Sequence, residues 1–293
     1  MNVLNRIERK ISKIQNDKYG EFVNKSVLKS LPQYGLTNNE KRVVVSMATY
    51  KERYQTIIPT LKSLLLQTYK PDRIIVWLDE DVPENRITKE MRAYEKYGIE
   101  YRHTFEGLKP HKKYFYAMQE FSDAIIITVD DDLIYSKDLI ESLMKQHERY
   151  PNCICARRVH KIQMDATGGI KPYKKWIYEC RKQKTPSHLL CATGGGGVLY
   201  PPNIMPTDTF NIDAIKSLCP CADDIWLKFM ELKAGIKVSW VPSIYVMPYE
   251  TKNSQRTALN TANTNAGGND LYIKNLSRQY PEVVKYLKEE NER

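Results

Sequence analysis

The sequence predicts an α/β fold, a mostly parallel, doubly wound sheet with helical appendages at its N- and C-terminal ends. Three observations predict it. From Arg42 onwards, short apolar runs alternate with amphipathic helical stretches, the pattern of parallel βαβ units. Three of those runs end in polar groups, namely Thr49-Tyr50, Asp79 and Asp130-Asp131-Asp132, and an open α/β sheet places its ligand crevice at the C-terminal ends of its strands. Residues 124–129 have no polar break except Thr128, so they read as a strand buried on both faces, with three carboxylates directly after it. Unpaired buried charge is costly, so these carboxylates belong at the strand end and not in the core. Crowded there they repel one another, and a hard divalent cation, Mn²⁺ or Mg²⁺, relieves that repulsion.

Composition sets the frame. At 293 residues, 42% hydrophobic and 27% charged, the chain is long enough for a substantial core and ordinary for a globular protein. Its net charge of +10 points to an anionic partner without choosing among nucleotide, acidic glycan, membrane surface and nucleic acid. No apolar leader follows Met1 and no stretch has the length of a membrane span, so the expected location is cytoplasmic, or peripheral at the inner face of the membrane. In that compartment the six cysteines are expected as reduced thiols. Cys153/Cys155 and Cys219/Cys221 are Cys-x-Cys pairs, which lack the usual zinc spacing.

Residues 1–18 place Leu4, Ile7, Ile11 and Ile14 at helical spacing among Arg6, Arg9, Lys10 and Lys13. This amphipathic basic helix suits packing on the main domain or on a second subunit, and equally suits an anionic lipid surface. Residues 18–41, polar and broken by Pro32 and Gly35, read as a connector, so 1–41 stand apart from a main domain at 42–250. Within that domain the expected order is a strand at 43–48, a helix through Ile57, Leu61, Leu64 and Leu65, a strand at 73–78, helix at 88–97, a short strand at 99–103, helix at 112–121 and the strand before the triple Asp. After Pro151 the alternation is lost. Gly194–Gly197 cannot be a phosphate loop, because no Gly-Lys-Ser/Thr follows; they allow either a tight turn before Pro201-Pro202 or close approach of backbone to a sugar. A helix at 225–233 begins after Asp223-Asp224, a strand follows at 238–241, and 251–293 read as an Asn/Thr/Gly-rich loop, set at 250–270, and a final helix at 281–290.

Together the strand–Thr49-Tyr50–Arg53 stretch, the second strand ending in acid, Val129-Asp130-Asp131-Asp132 and the later Asp223-Asp224-Ile225 helix resemble a GT-A-fold glycosyltransferase (nucleotide-diphospho-sugar transferase). The stretch AIIITVDDDLIYSKDLIESLMKQHERYPNCICARRVHK, with CADDIWLKFM, is similar to the exostosin-like N-acetylhexosaminyltransferases; VVVSMATYKERYQTIIPTLKSLLLQTYKPDRIIVWLDED resembles the family 2 glycosyltransferases. The likeness spans about residues 42–250. It implies that Asp132 ligates a divalent metal, with Asp130 and Asp131 supporting the metal or bonding a ribose. It implies that Thr49, Tyr50, Arg53 and Asp79 line a nucleotide pocket. It also implies a basic residue reaching the donor diphosphate, for which Lys109, His111, Lys112 and Lys113 are the candidates and Lys112 or Lys113 is favoured. The departure is late in the chain, where no His follows His188 and only Arg256 or Arg278 could serve the metal or diphosphate.

The expected activity is therefore metal-dependent transfer from a nucleotide-diphosphate sugar, a UDP-sugar with UDP-N-acetylhexosamine among the candidates, to a glycan or glycolipid acceptor in surface polysaccharide synthesis. The exostosin-like likeness implies retention of configuration and the family 2 likeness inversion. Asp223 is expected to cap its helix. Asp224 would share an open helix face with Lys228 and Glu231, opposite apolar residues 225, 226, 229 and 230. It is then the expected general base of an inverting enzyme, or the orienting carboxylate of a retaining one. The aromatic and basic segment 171–182 suits stacking on acceptor sugars as well as ordinary packing. A sugar-nucleotide nucleotidyltransferase would need a glycine-rich loop after the first strand, where Ser46-Met47-Ala48-Thr49-Tyr50 has no glycine. A non-catalytic basic binding module is the remaining alternative; no RNA-binding signature is present, so nucleic acid is not an expected partner.

Overall fold

The computed structural model describes residues 3–26, 35–37, 42–79, 87–243, 248–251 and 267–292. The chain begins with helix α1 (Val3–Lys25), which continues past the expected end at 18 and takes in the start of the supposed connector. It does so because its inner face is packed: Asn16 and Val23 are buried, and Gly20 lies so close to the Tyr249 ring that a Cβ would stand 2.6 Å from it.

Strands β1 (Val43–Ala48), β2 (Arg73–Leu78), β3 (Ile99–His103) and β4 (Ile125–Val129) are the apolar runs of the sequence, paired in parallel in the order β4-β1-β2-β3. Helices α2 (Ile58–Leu65), α3 (Lys89–Arg92) and α4 (Lys112–Glu120) make the crossovers. Beyond β4 come the short β5 (Leu133–Ile134), helix α5 (Leu139–Arg149), and three-residue strands β6 (Ile154–Ala156), β7 (Val159–Lys161), β8 (Leu190–Ala192) and β9 (Val198–Tyr200). Then follow α6 (Ile212–Leu218), α7 (Asp223–Lys233), β10 (Val238–Trp240), β11 (Tyr249–Glu250), α8 (Gly268–Gln279) and α9 (Val284–Asn291). The central sheet has seven strands in the order β10-β6-β9-β4-β1-β2-β3, with β9 antiparallel to both its neighbours. Two small antiparallel pairs, β5–β11 and β7–β8, stand outside it.

Alternate residues of the central strands supply two cores, as the two-residue period of a strand dictates. Val44, Ile75 and Ile126 join Tyr114, Trp226, Leu276 and Leu287 on one side. Val43, Val45, Ile74, Val76, Ile125 and Ile127 join Leu61, Met91 and Leu143 on the other. The sheet is thus doubly wound, as expected. Helix α8 corrects the expectation of a patternless stretch as far as residue 270, since it starts at Gly268 and puts Ile273 and Leu276 into the first core. All six cysteines are free thiols. Among the described residues, no helix is long and apolar enough to cross a membrane.

Candidate active site

Register decides what meets at the strand ends. Met47 is level with Val129, and Ala48 with Trp77. The three chains therefore leave the sheet side by side, and Thr49, Asp79 and the triple Asp emerge together on one wall. They border a cavity of about 720 Å³, with Tyr50, Arg53, Lys112, Lys113, Asp223 and Asp224 also on its walls. Thr49, Tyr50, Arg53, Asp79, Lys112, Lys113, the triple Asp, Asp223 and Asp224 thus share one cavity.

The three aspartates do different jobs. Asp131 is locked inward: it accepts from the Thr49 hydroxyl at 2.6 Å and from the Arg53 guanidinium at 2.5 Å, while its carbonyl accepts from the Thr60 hydroxyl at 3.0 Å. Arg53 also lies 2.9 Å from Asp132 and stacks over the Tyr50 ring at 5.1 Å. Burial acts to lower the pKa of Arg53, but Asp131 and Asp132 together raise it above the ordinary value. Asp132 is pushed up to about 7, first by burial and then by repulsion from Asp130. Asp130 stands one-third exposed at the cavity, its backbone N–H donating to the Tyr135 hydroxyl at 2.8 Å.

The two lysines expected at a diphosphate are not a solvated basic face. Lys112 donates to the Thr49 carbonyl at 3.1 Å and to the Asp79 carboxylate. Lys113 lies 2.7 Å from Asp130 and 2.9 Å from Asp223, joining β4 to α7. Those carboxylates, with Asp224, hold the Lys113 ammonium charged and well above its ordinary pKa against the cost of burial. In this state both lysines serve carboxylates. Lys109 remains exposed beside the cavity, with its ammonium 3.7 Å from the Cys221 thiol. His111 is wholly buried between the Tyr114 hydroxyl and the Cys219 carbonyl, away from the cavity wall.

Helix α7 corrects two expectations. Its N-cap is Ala222, and no side chain caps it; Asp223 is instead buried against Lys113. The supposed open face is closed, since Lys228 and Glu231 are each 1% exposed and pair with each other at 3.1 Å. Asp224 keeps its place at the cavity by another route. Its carboxylate accepts from the Gly194 N–H at 3.0 Å, and burial followed by repulsion from Asp223 pushes its pKa up to about 8. Gly194 leaves room for the Lys113–Asp130 pair: a Cβ would lie 2.6 Å from the Lys113 ammonium and 3.1 Å from Asp130, so that pair would have to shift. The glycine run thus lets backbone approach the carboxylates.

Sequence reasoning missed the Lys113 bridge and the cavity wall formed by Tyr173, Tyr178, Arg158 and Asn269. The aromatic-basic composition of 171–182 was the one signal for the tyrosines; nothing signalled Asn269. Of the late arginines, Arg278 is exposed on the last turn of α8 and is not on the cavity wall, while Arg256 lies outside the described residues.

The sequence profile described as Glycosyl transferase family 2 matches residues 44–199, which takes in every strand end described above. No curated protein matches the chain. Among solved structures, GalNAc-T7 with UDP, GalNAc and Mn²⁺ is similar at a TM-score of 0.52 and 10% identity, over 82% of this chain and 48% of that one. At that identity the likeness is one of fold. The mannosyltransferase PcManGT from Pyrobaculum calidifontis, solved with GDP-Man and Mn²⁺, aligns at a TM-score of 0.47 and 12% identity, over 86% of this chain and 68% of its own. S. aureus TarS 1-349 aligns at 0.43 and 18%, over 72% and 60%.

Proposed function

The chain belongs to glycosyl transferase family 2 and has the GT-A fold, and from that premise we propose that it is a metal-dependent transferase using a nucleotide-diphosphate sugar. The observation that carries this is the division of labour in the triple Asp: both oxygens of Asp131 are taken by Thr49 and Arg53, whereas Asp130 and Asp132 border the cavity with one cationic partner each, Lys113 and Arg53. The donor class is a UDP-sugar, including UDP-N-acetylhexosamine, and the acceptor a hydroxyl of a glycan or glycolipid of a surface polysaccharide. The Mn²⁺ and UDP in the structure of GalNAc-T7 support that choice.

The residues fit a divalent cation. Asp130 and Asp132 offer hard oxygen donors, and the pKa of Asp132, raised first by burial and then by repulsion from Asp130, marks a carboxylate whose charge a cation would stabilise. Among the described residues, no group of three or more His, Cys, Asp or Glu side chains is arranged to hold a metal by itself. Asp130 and Asp132 would therefore hold Mn²⁺ or Mg²⁺ together with oxygens of the donor diphosphate, the usual division for such ions. When bound, the ion neutralises charge on the departing diphosphate.

The chain's own groups supply the rest. Thr49, Tyr50 and Asp79 border the end of the cavity at the β1 and β2 strand ends, where a nucleotide would sit. Asp224, held by the Gly194 N–H, takes the proton of the acceptor hydroxyl as that oxygen bonds to the anomeric carbon. The bond from the anomeric carbon to the phosphate oxygen breaks, and its electron pair leaves with the nucleoside diphosphate. A single displacement of this kind inverts configuration. Because burial and then Asp223 raise its pKa, Asp224 once ionised is a stronger base than an ordinary carboxylate. The test is a thermal-shift screen of nucleotide sugars with and without Mn²⁺. UDP-sugars should raise the midpoint only when the metal is present; no response to any nucleotide sugar would overturn the assignment.

We propose further that helix α1 meets an anionic lipid surface, with the enzyme peripheral to a membrane. Its packed face carries Asn16, Gly20 and Val23, while Ile11, Ile14 and Phe22 are about half exposed on the opposite side, beside Lys10, Lys18 and Lys25. Apolar side chains flanked by lysines match the headgroup boundary in both hydrophobicity and charge.

A further inference from the structure

The cavity continues past the carboxylates to a wall that the chemistry above does not use. Tyr178 is 40% exposed there, and its ring is backed at 4.4 Å by the buried ring of His160. The His160 ring is held in place by its Nδ1, which accepts from the Glu179 N–H at 3.1 Å. Burial and then Arg158 push its pKa down to about 3, so an uncharged ring supports the tyrosine. Tyr173 stands edge-on to Tyr178 at 5.6 Å and is braced by Trp176 at 4.8 Å. The result is a rigid aromatic corner open to the cavity.

The corner is fastened to α8. Asp270 accepts from the Tyr173 N–H at 2.6 Å, and the residue before it, Asn269, borders the same cavity. Asn269 is 6% exposed, and its side-chain Oδ1 has no hydrogen-bond partner. Proteins seldom leave a buried amide oxygen unpaired. A sugar hydroxyl both donates and accepts, so it satisfies this amide in either of its orientations.

We propose that Tyr178, Tyr173 and Asn269 form the subsite for the acceptor's sugar ring, a neutral pyranose, with Asn269 as a specificity-determining residue. The assignment rests on the donor site proposed above. The C–H face of a pyranose packs on an exposed tyrosine ring, while its rim of hydroxyls needs fixed polar partners; this wall offers both. Its position also separates it from the nucleotide. Gly194 borders Asp130 and Lys113 and donates to Asp224, while the thiol of Cys191, which sits opposite His160 in the β7–β8 pair, lies 3.9 Å from the Asp224 carbonyl. Asp224 therefore lies between the carboxylates at the strand ends and the aromatic corner. A ring seated on Tyr178 presents its hydroxyls to the carboxylate that takes the proton.

The test uses the whole chain and the octyl β-glycosides of glucose, galactose, N-acetylglucosamine and N-acetylgalactosamine, titrated calorimetrically with UDP and Mn²⁺ present and again with both absent. The wild-type protein is expected to bind at least one of the four. Tyr178→Ala and Asn269→Ala should each weaken that binding by about tenfold, Tyr178→Phe by less than about twofold, and UDP–Mn²⁺ affinity should be unchanged in all three. Tyr178 is exposed enough for its variants to fold, so they decide the matter if Asn269→Ala loses its thermal transition. The proposal is overturned if the wild type binds none of the glycosides, or if both alanine variants bind them normally. It is also overturned if folded Tyr178→Ala loses UDP binding, which would make the tyrosine a nucleotide contact. Wild-type protein that binds a glycoside but not UDP–Mn²⁺ would sink the donor site and leave this subsite standing.

Discussion

The backbone N–H of Gly194 donates to the Asp224 carboxylate at 3.0 Å, and this bond, not the helix that carries Asp224, sets where the carboxylate stands in the cavity. Its neighbour Asp223 is turned the other way, onto Lys113. Substitution should separate the two. Asp224→Asn is expected to lower turnover at least about 100-fold while UDP–Mn²⁺ binding persists, because only the proton acceptor is removed. Asp223→Asn should instead cost about 3 kcal/mol of stability, since it breaks one side of a buried ion pair. Steady-state kinetics and urea unfolding of both variants check this; ordinary turnover in Asp224→Asn would remove it from the chemistry.

Asp131 and Asp132 are adjacent in sequence and opposite in expected behaviour. Asp131→Asn takes a buried partner from Thr49 and Arg53 and should destabilise the fold by about 3 kcal/mol or more. Asp132 carries a pKa raised to about 7 by burial and then by Asp130. With the folded pKa above the unfolded one, its ionisation subtracts stability as pH rises through about 7. Metal-free Asp132→Asn should therefore be as stable as wild type at pH about 8, or more so, and should lose Mn²⁺-dependent UDP binding. Thermal midpoints with and without Mn²⁺ distinguish the two variants, and a destabilised Asp132→Asn with intact metal response would contradict both roles.

Much of the fold was legible because parallel strands buried on both faces are uninterrupted β-branched runs. Residues 43–48 and 73–78 coincide with β1 and β2. Strands β6, β8 and β9 escaped notice because three residues carry no period, and β9 enters the central sheet antiparallel, outside the βαβ rhythm. The start of α8 resembles a turn, with Gly267, Gly268 and Asn269 in succession, so neither the helix nor the cavity residue on it could be seen. In the site, the acidic positions were visible as charge at strand ends, whereas their partners were not. Lys113 finds Asp223 across the fold, and Lys228 pairs with Glu231 in a spacing that on sequence alone marks a solvated helix face. Long-range pairing turns what reads as surface into interior.

Acid should weaken the fold through His111. Its Nε2–H donates to the Cys219 carbonyl at 2.8 Å, and its Nδ1 accepts from the Tyr114 hydroxyl at 3.0 Å, a pattern that only the neutral ring can make. Burial, aided by Lys113 and opposed by Asp223 and the Cys219 carbonyl, lowers its pKa from 6.5 to about 4. The unfolded chain therefore takes up the proton first. Stability is complete above pH 6.5 and declines as pH falls towards 4, by roughly 3 kcal/mol from this group. His111→Asn should be less stable than wild type at pH about 8, with the gap closing by pH about 5. Parallel stability curves for the two proteins would exclude His111 as the titrating group.

The outer face of α1 gives the last prediction. Ile11 and Ile14 are 52% and 55% exposed, one helical turn apart, and Phe22 is 50% exposed on the same side. The packed side, with Gly20 against Tyr249 and Val23 buried, needs none of them. Changing Ile11 and Ile14 to Glu should therefore leave the thermal midpoint within about 1 °C, as surface substitutions away from special features do. The same change exchanges apolar contact for negative charge at the place where an anionic headgroup would lie, so it should act on lipid binding twice over. Sedimentation with vesicles of phosphatidylcholine containing phosphatidylglycerol should retain the wild type and release the double variant. Vesicles of phosphatidylcholine alone should retain neither, and added salt should weaken wild-type binding because the lysine contribution is screened. A wild type that ignores anionic vesicles, or a double variant that unfolds, would show that this face belongs to a protein contact and not to a membrane.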